Sequence, residues 1–179
     1  FNAGTNPTPV QITNVPVGTF QMVLAKNGPT ATAGAIQSDL VFAYGMNHSV
    51  YFGQYTGKYM PQSFDSGDPV RTMVAADLNQ DGIDEVIVST TADGTASSNI
   101  YVYNHLNYTS GWSAYGPFPV PNIVSGIAAV DLGGDPNLEI VLTSSNASAL
   151  TILGWDGKNI MPVQYPLGIP RLAPNQIIA

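Results

Sequence analysis

Acidic side chains are concentrated in two short windows of this 179-residue sequence. Seven of the twelve Asp and Glu residues lie within residues 77–85 and 131–139, and neither window contains Lys or Arg. Crowded carboxylates repel one another, and a bound divalent cation removes that repulsion. Ca²⁺ takes about six to eight oxygen ligands from carboxylates, amide oxygens and backbone carbonyls. The two windows therefore predict calcium sites.

In the first window the oxygen-bearing residues alternate along the chain, and Gly82 supplies a sharp turn between them. An EF-hand loop begins in the same way, but it needs a Glu at its twelfth position, where this sequence has Val88, and it needs flanking helices. We therefore expect a strand-loop-strand site. Its predicted ligands are Asp77, Asn79, Asp81, the backbone carbonyl of Ile83, and Glu85.

The second window follows the first with two departures. Gly133 stands where the first window has Asn79, and Pro136 stands where it has Gly82. The alternative for such windows is an Asx-rich turn with solvated carboxylates. The predicted ligands of the second window are Asp131, Asp135, Asn137 and Glu139.

Apolar strands of similar sequence precede and follow both windows. Asp131 and Glu139 lie 54 positions after Asp77 and Glu85, which indicates an internal repeat. A degenerate first unit has an apolar strand at 21–25, a longer loop without acidic residues, and a second strand at 39–43. Asp39 stands there in the place of Glu85, and we do not expect that loop to hold metal.

Each unit continues with a third strand, a turn and a fourth strand, and four short strands per repeat are typical of a β-propeller blade. We expect a single all-β domain over residues 1–179, with complete blades at about 17–66, 67–119 and 120–168. Residues 1–16 and 169–179 are expected to be partial-blade strands. Because a propeller ring needs about four to eight blades, the chain is expected to belong to a longer array or to pair with copies of itself by strand donation.

The stretch from Asp77 to Val88 resembles the FG-GAP or VCBS repeat of integrin α-chain propellers and many secreted microbial proteins. The resemblance covers the three tandem units, although the family usually has Asp where this sequence has Glu85. It implies calcium-binding propeller blades outside the cell that serve cell adhesion, ligand binding or a supporting role in secreted enzymes.

Composition excludes several classes of function. The formal charge is −7 with five Lys and Arg residues, so the basic surface that nucleic acids require is missing. The absence of Cys excludes disulfide scaffolds and thiolate chemistry. Apolar runs are too short for a membrane-spanning helix, and no signal-peptide pattern opens the chain. We expect a mature, secreted or cell-surface protein.

Catalytic motifs are scarce, and we do not expect an enzyme. Neither His48 nor His105 lies near a nucleophile elbow or a zinc-binding pair. We expect a calcium-binding module for adhesion, assembly or the binding of a glycan or protein ligand. The alternatives are a non-catalytic part of a secreted polysaccharide-acting enzyme and a structural subunit that polymerises into a filament.

Four aromatic residues are candidates for stacking on sugar rings. A ring in a loop could stack on a sugar, but aromatic rings in blades more often pack between adjacent sheets, and the second interpretation is favoured. The four residues are Tyr108, Trp112, Tyr115 and Trp155.

Overall fold

The computed structural model describes residues 19–29, 36–44, 48–55, 59–105, 112–132 and 137–163. Within these ranges the chain forms β-strands and no helix, which confirms the all-β prediction for this part of the protein. The strands are β1 (Thr19–Pro29), β2 (Ile36–Tyr44), β3 (Ser49–Tyr55), β4 (Tyr59–Asp65), β5 (Val70–Ala76), β6 (Glu85–Thr90), β7 (Ser98–His105), β8 (Trp112–Val120), β9 (Val124–Val130), β10 (Glu139–Ser144), β11 (Thr151–Trp155) and β12 (Ile160–Pro162).

The strands form three four-stranded sheets in which each strand pairs with its neighbour in the sequence. Sheet 1 has the order β1-β2-β3-β4, sheet 2 has β5-β6-β7-β8, and sheet 3 has β9-β10-β11-β12. All of these pairs are antiparallel. The described sheets form no closed ring. The strands expected at 1–16 and 169–179 lie outside the described residues.

The hairpins that carry the two acidic windows have the same register. Ala76, the residue before the first window, pairs with Glu85, the last residue of that window. Val130 pairs with Glu139 in the same way around the second window. The repeat seen in the sequence is therefore a repeat of strand pairing.

The first unit differs from its expected form. Ala25 pairs with Asp39, as the internal repeat suggests, but the ladder continues to the pair of Pro29 and Ile36. The prediction that a long loop begins after Ala25 is therefore wrong, because strand pairing occupies most of that segment. The turn residues Asn27, Gly28 and Pro29 follow Ala25, and the ladder still extends over them with a register shift between Lys26 and Gly28.

Sheet 2 packs against both of its neighbours. Successive side chains of its strands point to opposite faces, and apolar side chains occupy both faces. Val86 and Val88 of β6 belong to the core shared with sheet 1. Ile87, between them, belongs to the core shared with sheet 3, as does Val102 of β7. Every residue of β6 is buried. A continuous apolar run is typical of a strand covered on both faces.

Aromatic rings fill the core between sheets 1 and 2. The ring of Phe52 lies 4.5 Å from that of Trp112 and 5.1 Å from that of Tyr103, measured between centroids. The Tyr103 hydroxyl is buried and has no hydrogen-bond partner among the described residues. Burying a hydroxyl without a partner costs free energy that the ring contacts must offset.

The first strand of sheet 2 lies between those of the other two sheets, because β5 contacts both β1 and β9. The loops that follow β5 and β9 contact each other, since the Leu138 N–H donates to the Leu78 carbonyl at 2.9 Å. Among the described residues, no helix is long and apolar enough to cross a membrane.

The Tyr103→Phe substitution should raise the free energy of unfolding by about 1 kcal/mol, because it removes the unpartnered hydroxyl and keeps the ring. Tyr101→Phe is the matched control, since Tyr101 lies on the same strand and is only half-buried, and its change should stay within about 0.5 kcal/mol. Urea denaturation followed by fluorescence measures both values. A loss of stability in Tyr103→Phe would contradict the conclusion that the Tyr103 hydroxyl is buried without a hydrogen-bond partner.

Candidate metal centre

The loop of residues 77–84 joins β5 to β6 and contains the first acidic window. Two residues with positive φ reverse the chain within it, Gln80 at 57° and Gly82 at 90°. Glycine adopts that conformation without steric cost, as the sequence predicted for Gly82. The reversal brings the side chains that precede the turn close to the backbone that follows it.

Three of the predicted ligands converge inside this loop. The Asp77 carboxylate accepts hydrogen bonds from the backbone N–H groups of Asp81 at 2.9 Å and Gly82 at 2.8 Å. Asn79 Oδ1 accepts from the same Asp81 N–H at 3.1 Å, and Asn79 Nδ2 donates to Asp81 Oδ2 at 3.0 Å. Asp81 Oδ1 accepts from the Ile83 N–H at 2.9 Å. The loop therefore gathers Asx turns in one place, with its side-chain oxygens facing inward.

Glu85, the fourth predicted side-chain ligand, is fully buried at the start of β6. Its Oε2 accepts a hydrogen bond from the Leu78 N–H at 2.9 Å, whereas its Oε1 has no partner among the described residues. Burial raises the pKa of the Glu85 carboxyl to about 7, the Leu78 N–H opposes the rise, and the charges of Asp81 and Asp77 add to it. The Leu78 N–H thus links the Glu85 carboxylate to the start of the loop.

Asp84 belongs to the same window but points elsewhere. Its Oδ2 accepts a hydrogen bond from the Lys26 N–H at 2.8 Å, and its own N–H donates to the Lys26 carbonyl at 2.7 Å. Burial raises the pKa of the Asp84 carboxyl, and the Lys26 N–H and ammonium oppose that rise. Asp84 is thus bound to sheet 1 and not to the loop interior. The sequence carried one signal of this: among the acidic residues of the window, Asp84 alone falls out of the alternating pattern.

The second acidic window repeats part of this arrangement. Glu139 is buried at the start of β10, and its Oε2 accepts from the Leu132 N–H at 2.8 Å, as Glu85 accepts from Leu78. Asp131 and Asn137 are exposed. Asp135 lies outside the described residues.

The side-chain oxygens of the first loop are of the kind that binds a hard cation, although several of them accept hydrogen bonds from the loop's own backbone N–H groups. No group of three or more His, Cys, Asp or Glu side chains forms a metal-binding arrangement within the described ranges. Each carboxylate oxygen in the loop retains a lone pair beyond the one that accepts an amide, so coordination remains open to it. The unpartnered buried Oε1 of Glu85 is the feature that an Asx turn alone does not explain. Oxygen ligands of these types fit Ca²⁺.

The histidines and tryptophans have structural environments. His48 Nδ1 lies 2.9 Å from the Gly67 carbonyl. His105 is buried, with its ring centroid 5.2 Å from that of Trp112. Trp112 and Trp155 are themselves buried, so their ring faces pack in the cores as the favoured interpretation predicted. Tyr108 lies outside the described residues.

Comparison with protein-family models, with curated proteins and with solved structures finds no match to this chain. The resemblance to FG-GAP or VCBS repeats therefore stays a prediction that depends on the residues of the two loops.

The Glu85→Gln substitution should raise the free energy of unfolding by about 1 to 3 kcal/mol in EDTA at pH 8, because the amide oxygen still accepts from Leu78 while the buried charge is gone. Ionisation of Glu85 opposes folding as the pH rises from 4.5 toward its folded-state pKa of about 7. The gain should therefore shrink at pH 5. Urea denaturation at both pH values measures it.

Asp93→Asn is the control for this comparison, since Asp93 is a surface acid whose Oδ1 lies 3.2 Å from Arg71 Nη2. Its substitution removes one negative charge without touching the loop, and it should change stability little at either pH. An equal gain in both variants would mean that net charge, and not the buried position of Glu85, is responsible.

Proposed function

We propose that this protein is a calcium-binding extracellular module for adhesion, ligand binding or assembly, stabilised by Ca²⁺ in the loop between β5 and β6. One observation carries the proposal. The oxygen atoms of Asp77, Asn79 and Asp81 gather in a single loop, near the buried Glu85 carboxylate whose Oε1 has no partner among the described residues. A cation would give that oxygen a partner and cancel the repulsion between the carboxylates.

The proposed role of the ion is structural. Asp77, Asn79, Asp81, the Ile83 carbonyl and Glu85 would hold it, and the loop between β9 and β10 would hold a second ion through Asp131, Asp135, Asn137 and Glu139. A ligand that binds only the folded state stabilises that state by mass action, by about 2.7 kcal/mol at a hundred times its dissociation constant. Calcium would thereby support the fold without taking part in catalysis.

The proposed location follows from the proposed ion. Extracellular calcium modules work with dissociation constants of about 10⁻⁴ to 10⁻³ M, and ordinary cytosolic calcium does not fill such sites. A loop whose carboxylates already bind their own amides gives up those contacts, or shares them, when it binds an ion. We therefore assign it to a compartment rich in calcium.

We also propose that the three sheets are blades of a propeller-type array. Support comes from the position of β5 between β1 and β9, and from the burial of both faces of sheet 2. Repeated sheets that pack in this way need neighbours at each end of the series.

The Asp81→Asn substitution tests the calcium proposal. It should leave the melting temperature in EDTA nearly unchanged, because the side-chain oxygen still accepts from the Ile83 N–H and the lost contact with Asn79 Nδ2 is exposed to water. It should remove most of the rise that calcium gives to the unmodified protein. Thermal melts in 2 mM CaCl₂ and in EDTA measure the effect, and calorimetric titration with CaCl₂ gives the affinity.

Asp156→Asn is the matched control, since Asp156 accepts from the N–H groups of Lys158 and Asn159 in a similar exposed turn outside both windows. That variant should keep the full response to calcium. If the unmodified protein melts at the same temperature in calcium and in EDTA and shows no binding heat, the calcium proposal is wrong.

Assembly of identical chains is a second candidate, favoured by an apolar surface on sheet 1. Met22 and Leu24 are 58% and 61% exposed on β1, and Leu24 pairs across the ladder with the half-buried Leu40. This surface is the face of sheet 1 opposite to the core shared with sheet 2. A second copy of the chain is the proposed occupant, because sheet-on-sheet packing already repeats twice within one copy.

The Leu24→Glu substitution should reduce self-association, measured as the concentration dependence of the sedimentation coefficient. Met161→Glu is the control, since Met161 is also exposed, at 49%, but lies on β12. A protein that sediments as a monomer at all concentrations would rule out this mode of assembly.

A further inference from the structure

We propose that Asp84 is a positioning residue that sets the calcium affinity of the first acidic loop by clamping that loop to sheet 1. The inference depends on the proposed function, because it concerns how the calcium loop is held. Asp84 itself would not touch the ion. Its carboxylate Oδ2 is engaged by Lys26, and the Asp84 side chain is buried with 7% exposure.

Two hydrogen bonds join the same two residues in opposite directions. The Lys26 N–H donates to Asp84 Oδ2 at 2.8 Å, and the Asp84 N–H donates to the Lys26 carbonyl at 2.7 Å. Lys26 is itself paired with Ser38 in the ladder of β1 and β2. The loop is therefore anchored to a residue that strand pairing holds in place, 58 positions earlier in the sequence.

The position of the clamp along the chain determines its effect. Asp84 lies between Ile83 and Glu85, which are the last two predicted ligands. Fixing the Asp84 backbone fixes the peptide groups on either side, and with them the Ile83 carbonyl and the start of β6. A loop that is ordered before it binds loses less conformational entropy on binding, so its affinity is higher.

The second acidic loop has the backbone hydrogen bond of this pair at the corresponding position. Leu138 occupies the position that corresponds to Asp84, and its N–H donates to the Leu78 carbonyl at 2.9 Å. Leucine has no carboxylate to accept a return hydrogen bond. The Leu78 N–H is already engaged by Glu85 Oε2 at 2.9 Å. At this position, within the described residues, the second loop has the backbone hydrogen bond, whereas the first loop has both the backbone and the side-chain hydrogen bond.

The competing explanation is that Asp84 only adds stability to the packing of sheets 1 and 2. Such a role would lower the stability of a variant in EDTA and leave its calcium affinity unchanged. A positioning role changes the affinity and is restored by a side chain that keeps the acceptor oxygen without the charge. Asp84→Asn and Asp84→Ala separate the two roles.

The experiment is calorimetric titration of the full 179-residue chain with CaCl₂, together with urea unfolding in EDTA. Asp84→Ala should bind Ca²⁺ about tenfold more weakly than the unmodified protein, since freeing one residue's backbone costs about that factor on binding. Asp84→Asn should bind within about threefold of the unmodified protein. Asp93→Ala, which removes an exposed charge, should bind with unchanged affinity.

The outcomes are distinct. Equal affinity of Asp84→Ala and the unmodified protein overturns the inference and leaves the calcium proposal standing. An Asp84→Asn variant as weak as Asp84→Ala also overturns it, since charge and not the clamp would then be responsible. Absence of calcium binding in the unmodified protein removes the proposed function and the inference with it.

Hydrogen exchange decides the matter if Asp84→Ala fails to fold. The Lys26 N–H is bound by a side chain of the calcium loop, so calcium should slow its exchange in the unmodified protein. Unchanged exchange at Lys26, with calcium bound, would overturn the inference.

Discussion

The constraint on which the rest of this structure depends is the burial of both faces of the central strands. Successive side chains of a strand point to opposite sides of the sheet, and every residue of β6 and of β10 is buried. A strand of this kind cannot form the outer layer of a sandwich, where one face meets water. Sheet 2 meets the requirement by packing its two faces against sheets 1 and 3. Stability is therefore shared between neighbouring sheets, an arrangement that is typical of repeat proteins.

The same burial removes the last acidic side chain of each loop from water. Glu85 and Glu139 are the first residues of these two central strands, and each is carried into the protein by the strand that it begins. Each carboxylate reaches back to the N–H of a residue seven positions earlier, Leu78 or Leu132. The extra methylene of Glu relative to Asp gives the side chain the length for that contact. The base of each loop is thus tied to the core, and the loop cannot rearrange without moving a buried acid.

Sequence patterns predicted the strands, the repeated register and the convergence of Asp77, Asn79 and Asp81, because alternation and local turn chemistry determine all three. They could not predict the partner of Asp84, because Lys26 lies 58 residues away. Asp84 falls outside the alternation of the window, but alternation does not identify the strand that its carboxylate contacts. In the first hairpin the sequence predicts a long loop between Ala25 and Asp39, whereas the two strands continue to pair as far as Pro29 and Ile36.

Hydrogen bonds between neighbouring units connect the acidic loops to the packed sheets. Asp84 binds Lys26 of sheet 1, and the Leu138 N–H binds the Leu78 carbonyl, so each acidic loop is attached to the unit before it. Leu78 is also the residue whose N–H holds Glu85. The backbone of one residue therefore connects the buried acid of the first loop with the backbone of the second. A cation that neutralises the first loop would act on the contacts between sheets as well as on its own ligands. The acidic loops therefore lie at the contacts between neighbouring sheets, and their hydrogen bonds help to hold one sheet against the next.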